Sequence, residues 1–223
     1  MSAIVITGAG SGLGRALALQ YSNSFNEIIL IGRNQERLQQ TKDILLQSQE
    51  LEVFTYTVNI QNQHEVETLC TSLFTKHDAA ALINNAGVGH FGPVTSLSAE
   101  EISEMLDTNV KGTIFLTQAF IKEFTKKGTG KILNIISTAG LRGKVNESVY
   151  VASKFAVRGF TESLVKELDG TDISIAGAYM GGMDTPFWDN NEHIKDKTRL
   201  KSPAVIAEKI YRLDDGRTEI IAE

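Results

Sequence analysis

Tyr150 and Lys154 stand four residues apart at the start of a helical pattern, so their side chains share one face. An ammonium beside a phenol favours the phenolate and draws a tyrosine down from its ordinary value of about 10. A tyrosine tuned in that way is a candidate general acid or base near neutral pH. Most such pairs on helices are solvated surface, so the pair needs context. Ser137, 13 residues earlier, provides some. It closes an apolar run over 131–137 that reads as a buried strand, and ligands of open α/β sheets gather at the carboxyl ends of strands.

A second cluster lies near the start of the chain, in Thr7-Gly8-Ala9-Gly10-Ser11-Gly12-Leu13-Gly14-Arg15. It follows an apolar run and precedes a helical pattern. Glycines at 8, 12 and 14 leave no Cβ between the backbone and a pyrophosphate, and the helix start offers free N–H groups and a positive dipole end. The spacing is G-x-x-x-G-x-G rather than G-x-G-x-x-G. Alone it could be a tight turn; between a first strand and a helix it reads as nucleotide binding. The second strand ends Ile31-Gly32-Arg33-Asn34, with no acid at its tip; the first acid, Glu36, already lies in the helix. A carboxylate there would bond a ribose 2′-hydroxyl, whereas a guanidinium accommodates a 2′-phosphate. Arg33 and Asn34 therefore point to NADP(H) over NAD(H). The competing reading of Arg33 is a solvated turn residue.

These residues need a frame. Apolar runs over 3–7, 28–31, 53–58, 80–84, 131–137 and 173–178, with a last one over 218–222, lack strict in-out alternation. Strands buried on both faces of a parallel sheet look like this. Helical patterns over 13–22, 36–48, 63–76, 99–127 (broken near Thr108) and 149–168 fall between them. The alternation predicts an α/β, doubly wound parallel sheet with right-handed crossovers. Residues 181–203 are the least regular stretch and read as a connection or as a lid, with Phe187 and Trp188 at its base favouring the lid.

With these elements in place, the chain resembles the short-chain dehydrogenase/reductase family. The matches are Thr7-Gly8-x-x-x-Gly12-x-Gly14, Asn84-Asn85-Ala86-Gly87, Asn109, Ser137 and Tyr150-x-x-x-Lys154, in family order over nearly the whole chain. The resemblance implies one Rossmann-type domain over residues 1–223 with a seven-stranded parallel sheet. It implies that Tyr150 exchanges a proton with a carbonyl or alcohol oxygen and that Ser137 hydrogen-bonds the same oxygen. Lys154 would tune the phenol and bond the nicotinamide ribose, and Asn109 would hold a helix backbone and support a water leading from Lys154 to solvent. Gly8, Gly10, Ser11, Gly12, Leu13 and Gly14 would cradle the phosphates. Asn59 and Ile60 would flank the adenine, with Asn59 standing where many members carry Asp. Asn85, Ala86 and Gly87 would pack near the adenosine ribose or serve only to tie strands together. The family pattern Pro-Gly-x-x-x-Thr is here Met180-Gly181-Gly182-Met183-Asp184-Thr185. Met183 and Thr185 would hold the nicotinamide amide, on a loop loosened by the replacement of proline with Met180. The family also suggests a homodimer or homotetramer through the long helices. An end close to the last strand suggests an open substrate pocket.

Composition excludes several other classes. Net charge is −5 and no basic stripe occurs, which weighs against nucleic acid. No run of about 18 apolar residues is present to span a membrane. A lone cysteine, Cys70, and a start that does not read as a signal peptide suggest a reducing, cytoplasmic setting. Hydrophobic residues make up 42% and prolines number only 3, as in one well-packed domain rather than a linker-rich chain. His64, His77, His90 and His193 have no zinc-ligand spacing, so no metal is expected. The substrate wall is expected from His90, Phe91, residues 138–146, Met180, Met183, Phe187 and Trp188. It is mainly apolar and suits an uncharged carbonyl or alcohol of modest size, although Arg142 and Lys144 could reach in. The leading expectation is an NADP(H)-dependent oxidoreductase; a dinucleotide-sensing protein without turnover, and an isomerase or lyase on the same scaffold, are the alternatives.

Overall fold

Every residue of β1 (Ala3–Thr7) is buried, and β2 (Glu27–Gly32) is buried up to its last residue. A strand can be apolar on both faces only where both are covered, and that decides the architecture. The structure is a computed structural model that describes residues 2–48, 50–189 and 196–222. With β3 (Glu52–Thr57), β4 (Ala79–Asn84), β5 (Gly130–Ile135), β6 (Ile173–Met180) and β7 (Glu219–Ala222), the strands form one parallel sheet in the order β3-β2-β1-β4-β5-β6-β7. Only the edge strands alternate: β3 and β7 each bury one face more than the other. The family resemblance is right about the seven-stranded Rossmann-type sheet.

Helices α1 (Gly12–Tyr21), α2 (Gln35–Ser48) and α7 (Pro203–Leu213) cover one face, with Leu17, Leu38, Leu45, Ile206 and Ile210 set against Ile4, Ile6 and Ile28. Helices α3 (Gln63–Lys76), α5 (Thr113–Lys127) and α6 (Ser148–Glu167) cover the other, where Leu69, Phe120, Phe124 and Leu164 meet Val5, Ile29 and Ile132. The chain order turns back between the neighbouring strands β1 and β4, which opens a crevice at their carboxyl ends.

Three features differ from the sequence reading. The strand expected over 131–137 stops at Ile135, so Ser137 lies on the turn beyond it. The helix expected over 99–127 consists of α4 (Ala99–Leu106), a widened π turn over Asp107–Gly112, and α5. Helix α7 was not expected at all. Its start is marked by the Ser202 side chain accepting from the Ala204 amide at 3.3 Å and by Pro203 in the first turn. Of the phenylalanines on the long helices, Phe120 is core, Phe115 and Phe160 are partly buried, and Phe155 is exposed. Among the described residues no helix is long and apolar enough to cross a membrane.

Candidate active site

The glycine-rich turn owes its shape to close backbone approach. A Cβ on Gly14 would lie 2.2 Å from the Gly8 carbonyl oxygen, and one on Gly12, at φ +51°, would lie 3.1 Å from the Thr185 side chain. Ser11 precedes α1 in extended conformation without a side-chain cap, and the first turn has no acid. No side chain of Ser11 and no acid of the first turn thus meets the positive end of this helix. The Thr7 hydroxyl accepts from the amides of Asn85 (3.0 Å) and Ala86 (2.9 Å), and Asn85 Nδ2 donates to the Thr7 carbonyl at 2.9 Å. These bonds lock the loop after β4 against the glycine turn. Arg15 donates to the Gly10 carbonyl (2.7 Å) and to Thr41 (3.0 Å), so Gly10 is a brace rather than a wall.

At the other end, the amides of Ile136 and Ser137 both donate to the Ala178 carbonyl, at 2.8 and 3.3 Å. These two hydrogen bonds to one acceptor accompany the chain's departure from β5 and leave Ser137 at φ +100°, a conformation that costs energy for any residue with a Cβ. The Ser137 hydroxyl lies beside the Tyr150 phenol, and both residues line one cleft. Tyr150, in the first turn of α6, is buried, and its ring lies 5.4 Å from Phe91 and 5.8 Å from Phe187 between centroids. One turn on, the buried Lys154 Nζ donates to the Ile135 carbonyl at 3.1 Å and lies 5.7 Å from the Tyr150 ring centre. Burial pushes the Tyr150 phenol above its ordinary range; the Ser137 hydrogen bond opposes this and the Glu147 carboxylate adds to it. Burial likewise pushes the Lys154 amine down to about 8. The expected ammonium-tuned phenolate is therefore not the dominant effect here, because desolvation favours the neutral form of both groups.

Asn109 sits in the π turn. Its Oδ1 accepts from the Val88 amide (2.8 Å), and its Nδ2 donates to the Val88 carbonyl (2.9 Å) and the Ser153 hydroxyl (3.0 Å). It ties the loop after β4 to α6 and so fixes the helix that carries Tyr150 and Lys154. Beneath it, Asn84 Nδ2 donates to Thr117 and to Asn134 of the neighbouring strand, each at 2.9 Å.

A cleft of about 660 Å³ joins the two ends. Its walls hold Gly8, Ser11, Gly12, Leu13, Gly14, Arg33, Asn85, Ala86 and Gly87 with His90, Ser137, Tyr150, Lys154, Met180, Met183, Thr185, Phe187 and Trp188. Gly10, Asn34, Asn59, Ile60 and Asn109 are not among the wall residues. Asn34 caps α2 by accepting from the Arg37 amide at 2.9 Å; Asn59 accepts from the Gln61 amide at 3.2 Å; Ile60 is buried against the π turn. Of residues 138–146 only Lys144 reaches the cleft: Thr138, Ala139 and Gly140 are buried, and Arg142 is exposed and not among the wall residues.

The wall is also more polar than expected, since Arg37, Glu101, Glu104 and Glu147 line it. Arg37 lies four residues after Arg33, in the first turn of α2. Nothing local marks the glutamates. Residues 190–195 of the expected lid, His193 included, lie outside the described residues. What precedes and follows them is anchored: Met183 bridges to Lys201, the Asp184 amide donates to the Lys201 carbonyl (2.9 Å) and the Lys201 amide to that of Gly182 (3.3 Å). The loop after Met180 is therefore tied down rather than loosened. Trp188 stacks on Phe91 at 5.0 Å. Among the described residues no cluster of metal-ligating side chains occurs.

A family model described as short chain dehydrogenase matches residues 2–196. An uncharacterized oxidoreductase of Bacillus subtilis, YxnA, is 32% identical over 212 residues; the match takes in 93% of this chain and 58% of that protein, so this chain spans less than two thirds of it. The alcohol dehydrogenase of Thermococcus sibiricus, complexed with 5-hydroxy-NADP, superposes with a TM-score of 0.89 at 27% identity, over 99% of this chain and 95% of that one. A Burkholderia phymatum short chain dehydrogenase/reductase in complex with NAD shares the fold, with a TM-score of 0.90 at 24% identity over 100% of this chain and 89% of its own.

Proposed function

Since the chain belongs to the short-chain dehydrogenase family, a family of oxidoreductases, we propose that it reduces a ketone or aldehyde to an alcohol with NADP(H) as its redox partner. The observation that carries this reading is the meeting of Ser137, Tyr150 and Lys154 on one wall of a cleft whose far end is an uncapped helix start. A dinucleotide fits that cleft: the glycine turn suits its pyrophosphate, and Arg33 and Arg37 offer two guanidiniums at the adenosine end. Asn85, Ala86, Gly87, Met183 and Thr185 would hold its remaining length. When bound, the nicotinamide supplies hydride to the substrate carbon.

The protein's own part is proton delivery and alignment. Tyr150 is protonated at neutral pH and would give that proton to the substrate oxygen in the reducing direction. Ser137 would hydrogen-bond the same carbonyl oxygen and position it at the phenol. Lys154, with its pKa lowered to about 8, would return a proton to Tyr150 after each turnover. Asn109 would keep α6 in register with the loop after β4. Phe91, Phe187 and Trp188 would exclude water above the phenol, with residues 181–203 as the lid. The relatives named above carry NAD in one case and an NADP analogue in another, so the preference for the phosphorylated cofactor rests on the two arginines and on the lack of an acid at the tip of β2.

The test is a panel of uncharged ketones and aldehydes with NADPH, followed by loss of nicotinamide absorbance. Turnover of at least one compound, faster with NADPH than with NADH, is the expected result. NADPH binding without oxidation across the panel would favour a dinucleotide sensor instead.

A further inference from the structure

Four charged or titratable side chains meet at the adenosine end of the cleft, and the reaction as proposed uses only one of them. Helix α4 carries Glu101 and Glu104 three residues apart, on the face toward the loop after β4. Glu101 is held by its capping box with Ser98, whose amide donates to Glu101 Oε2 at 2.9 Å. His90 lies between the two carboxylates, with Nδ1 3.5 Å from Glu101 Oε1 and Nε2 2.9 Å from Glu104 Oε2. The remaining oxygen of Glu104, Oε1, faces Arg33 Nη1 at 3.4 Å. Arg33 follows β2 and Glu104 belongs to the segment after β4, so this ion pair spans the crevice where the chain order reverses. All four residues line the cleft.

We propose that Glu104 is a selectivity residue that stands in for a 2′-phosphate, holding Arg33 across the mouth of the cleft until the cofactor's own phosphate displaces it. The proposal rests on the reading of Arg33 as the 2′-phosphate partner. The side chains are 60% exposed at Arg33 and 35% at Glu104, and an ion pair so open to water is weak and exchangeable. A phosphate offers the guanidinium a charge-assisted, two-pronged partner that outcompetes one carboxylate oxygen at 3.4 Å. A 2′-hydroxyl carries no charge and leaves the pair in place. His90 keeps hold of the displaced carboxylate, so Glu104 is not stranded when Arg33 moves. The carboxyl of Glu104 is held below the usual range by the His90 hydrogen bond and by Arg33, so it stays anionic and opposes the incoming phosphate at neutral pH. Glu104 thus weakens NADP(H) binding while leaving NAD(H) almost untouched.

Titration of the intact protein with NADPH and with NADH, followed by nicotinamide fluorescence, tests this in wild type, Glu104→Gln, Arg33→Ala and the double variant. Glu104→Gln should tighten NADPH by about two- to five-fold and change NADH by less than the error. The gain should vanish in the Arg33→Ala background. Equal tightening of both cofactors, no tightening, or weaker NADPH binding in Glu104→Gln would overturn the proposal while the wild-type preference for NADPH still stood. Equal wild-type affinities would instead sink the reading of Arg33, and the stand-in with it.

Discussion

The two ends of the parallel sheet hold similar buried polar groups and put them to different use. At the amino ends of the strands, Asp214 accepts from the Tyr21 phenol and pairs with Lys131 at 2.8 Å, while Glu27 pairs with His77, which bonds Tyr56 at 2.8 Å. The partners there are other side chains and, for Lys131, also the Asp214 carbonyl at 3.1 Å, and none of these groups lines the large cleft. At the carboxyl ends, Tyr150 and Lys154 are buried and Ser137 is half-buried, and all three border the cleft. Both phenols are raised by burial, and in Tyr21 the Asp214 carboxylate adds to it. Chemical type alone does not separate a brace from a reactive group; what separates them is whether the network closes on itself or leaves an edge toward a ligand.

Substitutions at either end probe that contrast. The largest effect is expected from Tyr150→Phe, which keeps the ring against Phe91 and Phe187 and removes only the hydroxyl proposed to donate the proton. Turnover should fall roughly 10³-fold with NADPH affinity little changed, as read by steady-state kinetics beside a binding titration. Retention of most of the rate would place the reactive proton elsewhere. At the opposite end, Asp214→Asn breaks a pair whose carboxylate side chain is 3% exposed. A loss of about 2–3 kcal/mol, or roughly 5–10 °C in thermal unfolding, should leave kcat intact. A drop in kcat that matched the loss of stability would erase the distinction between the two ends.

The smallest effect is a pH dependence. An amine lowered from 10.5 to about 8 binds fewer protons folded than unfolded between those values. Stability therefore rises with pH across that window, and the penalty of the buried charge is fully present below it. Between pH 8 and 10 the wild type should gain roughly 1–2 kcal/mol relative to Lys154→Met in denaturant titrations. Parallel curves would mean that Lys154 keeps its ordinary basicity in its pocket.

Much of this was open to reading in the chain itself, for identifiable reasons. The central strands are apolar on both faces, a pattern that only a covered parallel sheet produces. The glycine turn, Ser137, Tyr150 and Lys154 are marked by residue type and spacing. Helix α7 is hard to read in the sequence although Ser202 and Pro203 mark its start, because its buried stripe is only Ile206, Ala207 and Ile210 among charged neighbours. The backbone of Ser137 was not legible, since its φ is set by a carbonyl of β6 some forty residues away. Nor was the pairing of Arg33 with Glu104, which depends on where α4 lies across the crevice. Desolvation of Tyr150 and Lys154 likewise needs the packed structure, and it reversed the sign expected from their spacing.

The π turn over Asp107–Gly112 has one more consequence. A widened turn holds one surplus residue compared with ordinary helix, and each residue of an α-helix rotates the chain by about 100°. Deleting a single residue of this turn other than Asn109 would let the segment relax into regular helix and swing Asn109 away from Val88 and Ser153, with Asn109, Ser137, Tyr150 and Lys154 all still present. At this point in the molecule chain length is itself information, and a variant one residue shorter would carry the whole motif yet misalign what the motif is for.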